Sequence, residues 1–64
     1  MKINVPVLLQ IMEDNLMTKK EVRISSGLAA STMWKMYRGD NVRESTLYGL
    51  SRALDVKPSV LKIV

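Results

Sequence analysis

Thr18-Lys19-Lys20-Glu21-Val22-Arg23-Ile24-Ser25-Ser26-Gly27-Leu28-Ala29-Ala30-Ser31-Thr32-Met33-Trp34-Lys35-Met36-Tyr37-Arg38-Gly39 reads as two short helices joined at Gly27 and stopped at Gly39. Thr18 with Glu21 three residues on has the form of a capping box: the hydroxyl accepts from the Glu21 amide, and the carboxylate reaches back to the Thr18 amide. Gly27 suits a turn that needs positive φ, and Gly39 suits a left-handed residue just past a helix. A capped helix, a Gly-containing turn and a second helix make a helix-turn-helix over about residues 18–39. What the second of these helices presents to solvent then decides what the chain can bind.

Working outward, the segment before Thr18 predicts a helix from Pro6 to about Asn15, with Asn4 as its N-cap. Val7, Leu8, Ile11 and Met12 recur at helical spacing, Leu9 widens that stripe, and Gln10, Glu13 and Asp14 face outward. Leu16 and Met17 are expected to pack the connection. Inside the motif, Val22 faces inward and Leu28 plugs the crossing. Met33, Met36 and Tyr37 form the buried stripe of the helix from Ala30 to Arg38, opposite Ser31, Trp34, Lys35 and Arg38, with Thr32 flanking.

Gly39-Asp40-Asn41 signals a turn. A fourth helix follows from about Glu44 to Leu54, with Leu47, Leu50 and Leu54 inward and Ala53 beside them. Arg43, Ser45 and Thr46 stand at its start, where amides and hydroxyls suit either an anion such as phosphate or ordinary capping. Pro58 opens a last short helix through Ile63, with Val60, Leu61 and Ile63 packing back. The expectation is all-α: five helices in one domain over residues 1–64.

The composition narrows the chemistry. Without cysteine there is no disulfide framework or thiolate site. Without histidine as well, common zinc geometries and Ser-His or Cys-His nucleophile pairs drop out. No cofactor, metal or small-molecule ligand is expected, nor an enzyme. No apolar run approaches the roughly 20 residues of a membrane helix, so a soluble cytoplasmic protein with no membrane partner is the default. Net charge is +4, and between Lys19 and Arg43 six basic residues face only Glu21 and Asp40. Elsewhere four basic residues balance four acidic ones, so the whole excess lies in and just after the motif. Such localisation is an electrostatic footprint for a polyanion, although a solvated basic face has the same composition.

Thr18-Lys19-Lys20-Glu21-Val22, Gly27-Leu28, Ser31-Thr32-Met33, Lys35-Met36-Tyr37-Arg38-Gly39 and Thr46-Leu47…Leu50-Ser51-Arg52-Ala53-Leu54-Asp55-Val56 together resemble the phage Cro/CI (lambda-repressor-like, XRE) family. The resemblance runs from the first helix to Pro58-Ser59-Val60-Leu61. It implies a compact five-helix domain that binds operator DNA as a bacterial or phage transcriptional regulator, commonly as a homodimer, with the third helix in the major groove. Carried over by position, Ala30, Ser31, Thr32, Trp34 and Lys35 would face base edges or flanking phosphates. Arg38 and Asn41 would lie on the backbone, and Lys19 would meet a phosphate as a point charge. Arg43 joins this set from the start of the fourth helix. A Cro-like repressor acting by operator occupancy is the leading expectation.

Three positions depart from the family pattern. Arg23 stands where alanine is usual, Ala29 replaces a Ser or Thr cap, and Trp34 replaces a small polar residue. Trp34 and Arg38 are also types that anchor protein interfaces. The alternative is therefore an antitoxin or antirepressor that grips a protein with the same face. For a dimer contact the C-terminal candidates are Leu61, Ile63 and Val64, which equally suit covering the core.

Overall fold

A computed structural model describes Met1–Ile63. It contains α1 (Val5–Asp14), α2 (Lys19–Ser26), α3 (Ala30–Arg38), α4 (Glu44–Leu54) and α5 (Pro58–Leu61). The all-α architecture and the central helix-turn-helix are as expected.

Local chemistry sets most boundaries. Asn4 Oδ1 accepts from the Val7 N–H at 3.4 Å, and Pro6 sits in the first turn of α1, where its missing N–H costs nothing. Thr18 makes both halves of the capping box on α2: its hydroxyl accepts from the Glu21 N–H at 3.1 Å, and its own N–H donates to Glu21 Oε1 at 3.0 Å. Gly27 closes α2 at φ +71° and Gly39 closes α3 at φ +91°. Both conformations are ones that a side chain disfavours. Ala29 begins α3 in an extended conformation with no side-chain hydrogen bond, so that helix starts uncapped.

The core is Ile3, Leu8, Met12, Val22, Met33, Met36, Leu47, Leu50, Leu54 and Leu61, drawn from all five helices and from the segment before α1. Burying an apolar side chain of this size contributes roughly 1.5–3 kcal/mol, so these residues carry the stability of a small chain. α2 packs chiefly on α4, and Gly49 permits their approach. A Cβ at Gly49 would lie 3.3 Å from the Ser26 carbonyl oxygen and 3.7 Å from the Leu28 side chain. Thus α4 passes directly beneath the turn of the motif. Buried Ser51 donates to the Leu47 carbonyl at 2.8 Å, which satisfies its hydroxyl inside the helix.

Four expectations are corrected. Leu16 does not pack the connection: it is 89% exposed and sits at φ +54°, while half-buried Met17 fills that place. Leu9 does not widen the apolar stripe of α1, because only one side of a short helix reaches the core and Leu9 faces solvent. The last helix ends at Leu61 instead of Ile63. Beyond it the chain turns extended, and Lys62 forms an antiparallel bridge with Ile3. Leu61 alone of the expected trio is buried, with Val60 and Ile63 exposed, which removes Leu61 from any dimer surface. Val64 lies outside the described residues.

The reason for the early stop is backbone pairing with the N-terminal segment. The Asn4 N–H donates to the Leu61 carbonyl at 2.7 Å, and the Ile63 N–H donates to the Lys2 carbonyl at 3.2 Å. On the other side, the Val42 N–H donates to the Met1 carbonyl at 2.7 Å. Met1–Ile3 is therefore clasped between the loop after α3 and the chain end, and it delivers Ile3 to the core.

Two outcomes are expected. Ala29→Ser supplies the absent cap and raises stability by about 1 kcal/mol, a rise in Tm of about 4–8 °C. The Glu21 carboxyl is held below its ordinary value, first by the Thr18 N–H and then by the Thr18 hydroxyl. A carboxyl depressed in the folded state adds stability that is complete above its unfolded pKa and is lost as pH falls through the folded value. Glu21→Gln should therefore melt lower at neutral pH, and acidification from about pH 5 to pH 3 should cost it less than the natural chain.

Candidate nucleic-acid interface

α3 has two faces because its apolar residues recur with the helical period. Met33 and Met36 are buried, and Tyr37 is half-buried, its hydroxyl meeting the Met12 sulfur at 3.6 Å. Burial also pushes the Tyr37 hydroxyl above its ordinary pKa. The outer face carries Ala30, Ser31, Trp34, Lys35 and Arg38, all exposed, with Thr32 half-buried at its edge. Trp34 is 68% exposed although it is the chain's one tryptophan.

A cleft lies on each side of this ridge. The first, about 620 Å³, runs between α2 and α3 and is lined by Lys19, Lys20, Arg23, Ala30, Met33, Trp34, Tyr37 and Arg38. Its floor is apolar and aromatic, and its walls bring four cations. The second, about 370 Å³, lies between α3, the following loop and the start of α4; Leu28, Thr32, Lys35, Asn41, Val42, Arg43, Ser45 and Thr46 line it. The nine residues singled out in the sequence therefore share one surface: Lys19, Ala30, Trp34 and Arg38 on the first cleft, Thr32, Lys35, Asn41 and Arg43 on the second, and Ser31 exposed on the ridge. Thr46 also lines the second cleft but is only 4% exposed.

Intramolecular contacts hold part of this surface in place. Lys19 Nζ lies 4.6 Å from the centre of the Tyr37 ring, joining α2 to α3 by a cation–π contact. The Arg38 guanidinium carbon lies 5.8 Å from the centre of the Trp34 ring. Arg38 also donates to Asp40 Oδ2 through Nε at 3.1 Å and through Nη2. That hydrogen-bonded pair draws Asp40 below its ordinary pKa and lifts Arg38 above its own. Among the described residues it is the one ion pair found, so Lys19, Lys20, Arg23, Lys35 and Arg43 form none.

Lys20 and Arg23, which are not among those nine residues, also line the first cleft. Their helical positions were legible, since 19, 20 and 23 fall on one side of α2. That this side walls a cleft depends on the crossing angle with α3, and periodicity does not supply an angle. The uncapped start of α3 adds first-turn N–H groups with no side-chain acceptor, a place where negative charge is favoured. A ridge flanked by two cationic clefts suits a groove bordered by two lines of phosphate, and the major groove, about 12 Å wide, admits one helix.

Among the described residues no group of His, Cys, Asp or Glu could hold a metal ion, and no helix is long and apolar enough to cross a membrane. No curated protein and no solved structure matches the chain. The family model of the Cro/C1-type HTH DNA-binding domain matches residues 7–61, which takes in all of α2, α3, α4 and α5 and most of α1. The chain belongs to the Cro/C1-type helix-turn-helix DNA-binding family.

Proposed function

We propose that this chain, as a single domain, is a sequence-specific double-stranded DNA-binding regulator of transcription: a cytoplasmic, Cro-like repressor that acts by occupying its operator. The observation that carries the reading is the exposed α3 ridge with a cationic cleft on either side. In this reading α3 enters the major groove. Ala30, Ser31, Thr32, Trp34 and Lys35 meet base edges or the phosphates beside them. Lys35 can donate to guanine O6 or N7, Ser31 and Thr32 to several base edges, and Trp34 can pack on a thymine methyl.

Lys19 meets the phosphates of one strand from the first cleft. Arg38, Asn41 and Arg43 meet the backbone at the far end of α3 and across the second. Phosphate neutralisation supplies most of the affinity and makes it fall with salt, whereas the few base contacts select the sequence. One nine-residue helix reads few bases, so specific binding calls for a homodimer on two half-sites about one helical turn apart. Blocking a promoter needs no effector domain.

The two kinds of contact separate by mutation. Lys19→Ala should weaken binding to every duplex alike and reduce the slope of log affinity against log salt by about 1. Lys35→Ala should cost about 1–3 kcal/mol on the preferred sequence and relax preference at one base position. Titrations of specific and scrambled duplexes at several salt concentrations read both. Unchanged affinity in both variants would contradict the docking of α3.

A further inference from the structure

Leu16 combines two local costs at one residue. Its backbone is left-handed, φ +54°, in the position just past a helix where glycine or asparagine is favoured. Its side chain, 89% exposed, is the most exposed of the large apolar residues. The conformation is held by tight bonding: the Leu16 N–H donates to the Glu13 carbonyl at 3.1 Å, and the Met17 N–H donates to the Met12 carbonyl at 2.8 Å. The result is a protruding leucine on a hydrogen-bonded corner, beside exposed Glu13 and Asp14. Those bonds satisfy the last carbonyls of α1, but nothing among the described residues covers the leucine side chain, and an apolar side chain held out at a positive φ points to a use.

The α2–α3 cleft has the opposite character. Buried Met33, half-buried Tyr37 and exposed Trp34 give it an apolar lining, and Lys19, Lys20 and Arg23 line it without an acidic partner among the described residues, Lys19 lying over the Tyr37 ring. DNA supplies phosphate to such cations and a thymine methyl to exposed Trp34, but its backbone brings no apolar group to Met33 and Tyr37 deeper in the lining. A leucine flanked by two carboxylates supplies both. We propose that the Leu16 corner of one copy of this chain seats in the α2–α3 cleft of a second copy, with Glu13 and Asp14 against Lys19, Lys20 and Arg23.

Donor and acceptor lie close together, because the corner directly precedes α2, so one two-fold exchange engages both corners in a single self-complementary interface. The interface is small, and the pairing is weak. It also covers Trp34 and the cations that line the same cleft of the candidate reading face. On the DNA-binding reading, this DNA-free dimer differs from the operator-bound one and competes with it by mass action.

The test is sedimentation equilibrium of the whole chain without DNA, from about 10 µM to about 1 mM, a range that covers weak association. Emission from Trp34, the single tryptophan, is read in parallel. The natural chain should pass from monomer to dimer with a blue shift in emission, and added salt should oppose it. Leu16→Asn, which suits the left-handed backbone and whose folding is checked by circular dichroism, should weaken dimerisation at least about tenfold. Trp34→Ala should do the same. A chain that stays monomeric throughout overturns the proposal, as does a dimer that a folded Leu16→Asn variant retains or an emission spectrum indifferent to association. A second arm measures duplex binding at low protein concentration. No binding there, with the dimer intact, removes the DNA reading and leaves the self-association standing.

Discussion

The helix-turn-helix is built over one close contact, the passage of α4 beneath the turn at Gly27 and Leu28. Gly27 reverses the chain at φ +71°, and Gly49 lets α4 approach the Ser26 carbonyl and the Leu28 side chain. With the turn seated there, the Ser26 backbone and the Leu28 side chain both rest on α4. Val22 from α2 and Met33 and Met36 from α3 then fall into the core shared with Leu47, Leu50 and Leu54. Everything on the outer side of the crossing is left for a ligand.

That division explains the placement of charge. Cations are expensive to bury unpaired, so the excess of the central segment must lie outside the crossing. The clefts on either side of α3 collect it: Lys19, Lys20, Arg23 and Arg38 on one, Lys35 and Arg43 on the other. Arg38 is already occupied by Asp40 and lies beside Trp34, which orders the end of the ridge before any partner arrives. Among the described residues the remaining cations form no ion pair, so their charge is available to a polyanion. Trp34 and Arg23 make this surface more apolar at its floor and more basic at its wall than the usual alanine and small polar residue would.

Much of this was legible from residue spacing. The spans of α2, α3 and α4 follow from the Thr18–Glu21 box, from Gly27 and Gly39, and from the leucine repeat of α4, all local signals. The nine candidate contact residues share a surface because the period of α3 and the loop after it already implied one. What was not legible is long-range. The clasp of Met1–Ile3 between Val42 and Leu61–Ile63 joins chain segments roughly forty to sixty residues apart, and its extended backbone carries no periodic pattern. Leu16 misled because an apolar residue after an amphipathic helix ordinarily continues the core, whereas here a left-handed turn swings it into solvent. Lys20 and Arg23 carry no local signal of a site, because only the packing of α2 on α3 brings them to a cleft.

Whether the α3 ridge reads duplex sequence is decided by selecting bound duplexes from a random-sequence DNA pool at moderate salt and sequencing them. An enriched inverted repeat whose half-sites lie about one helical turn apart is expected. A pool that shows no sequence enrichment while the protein remains folded would contradict it.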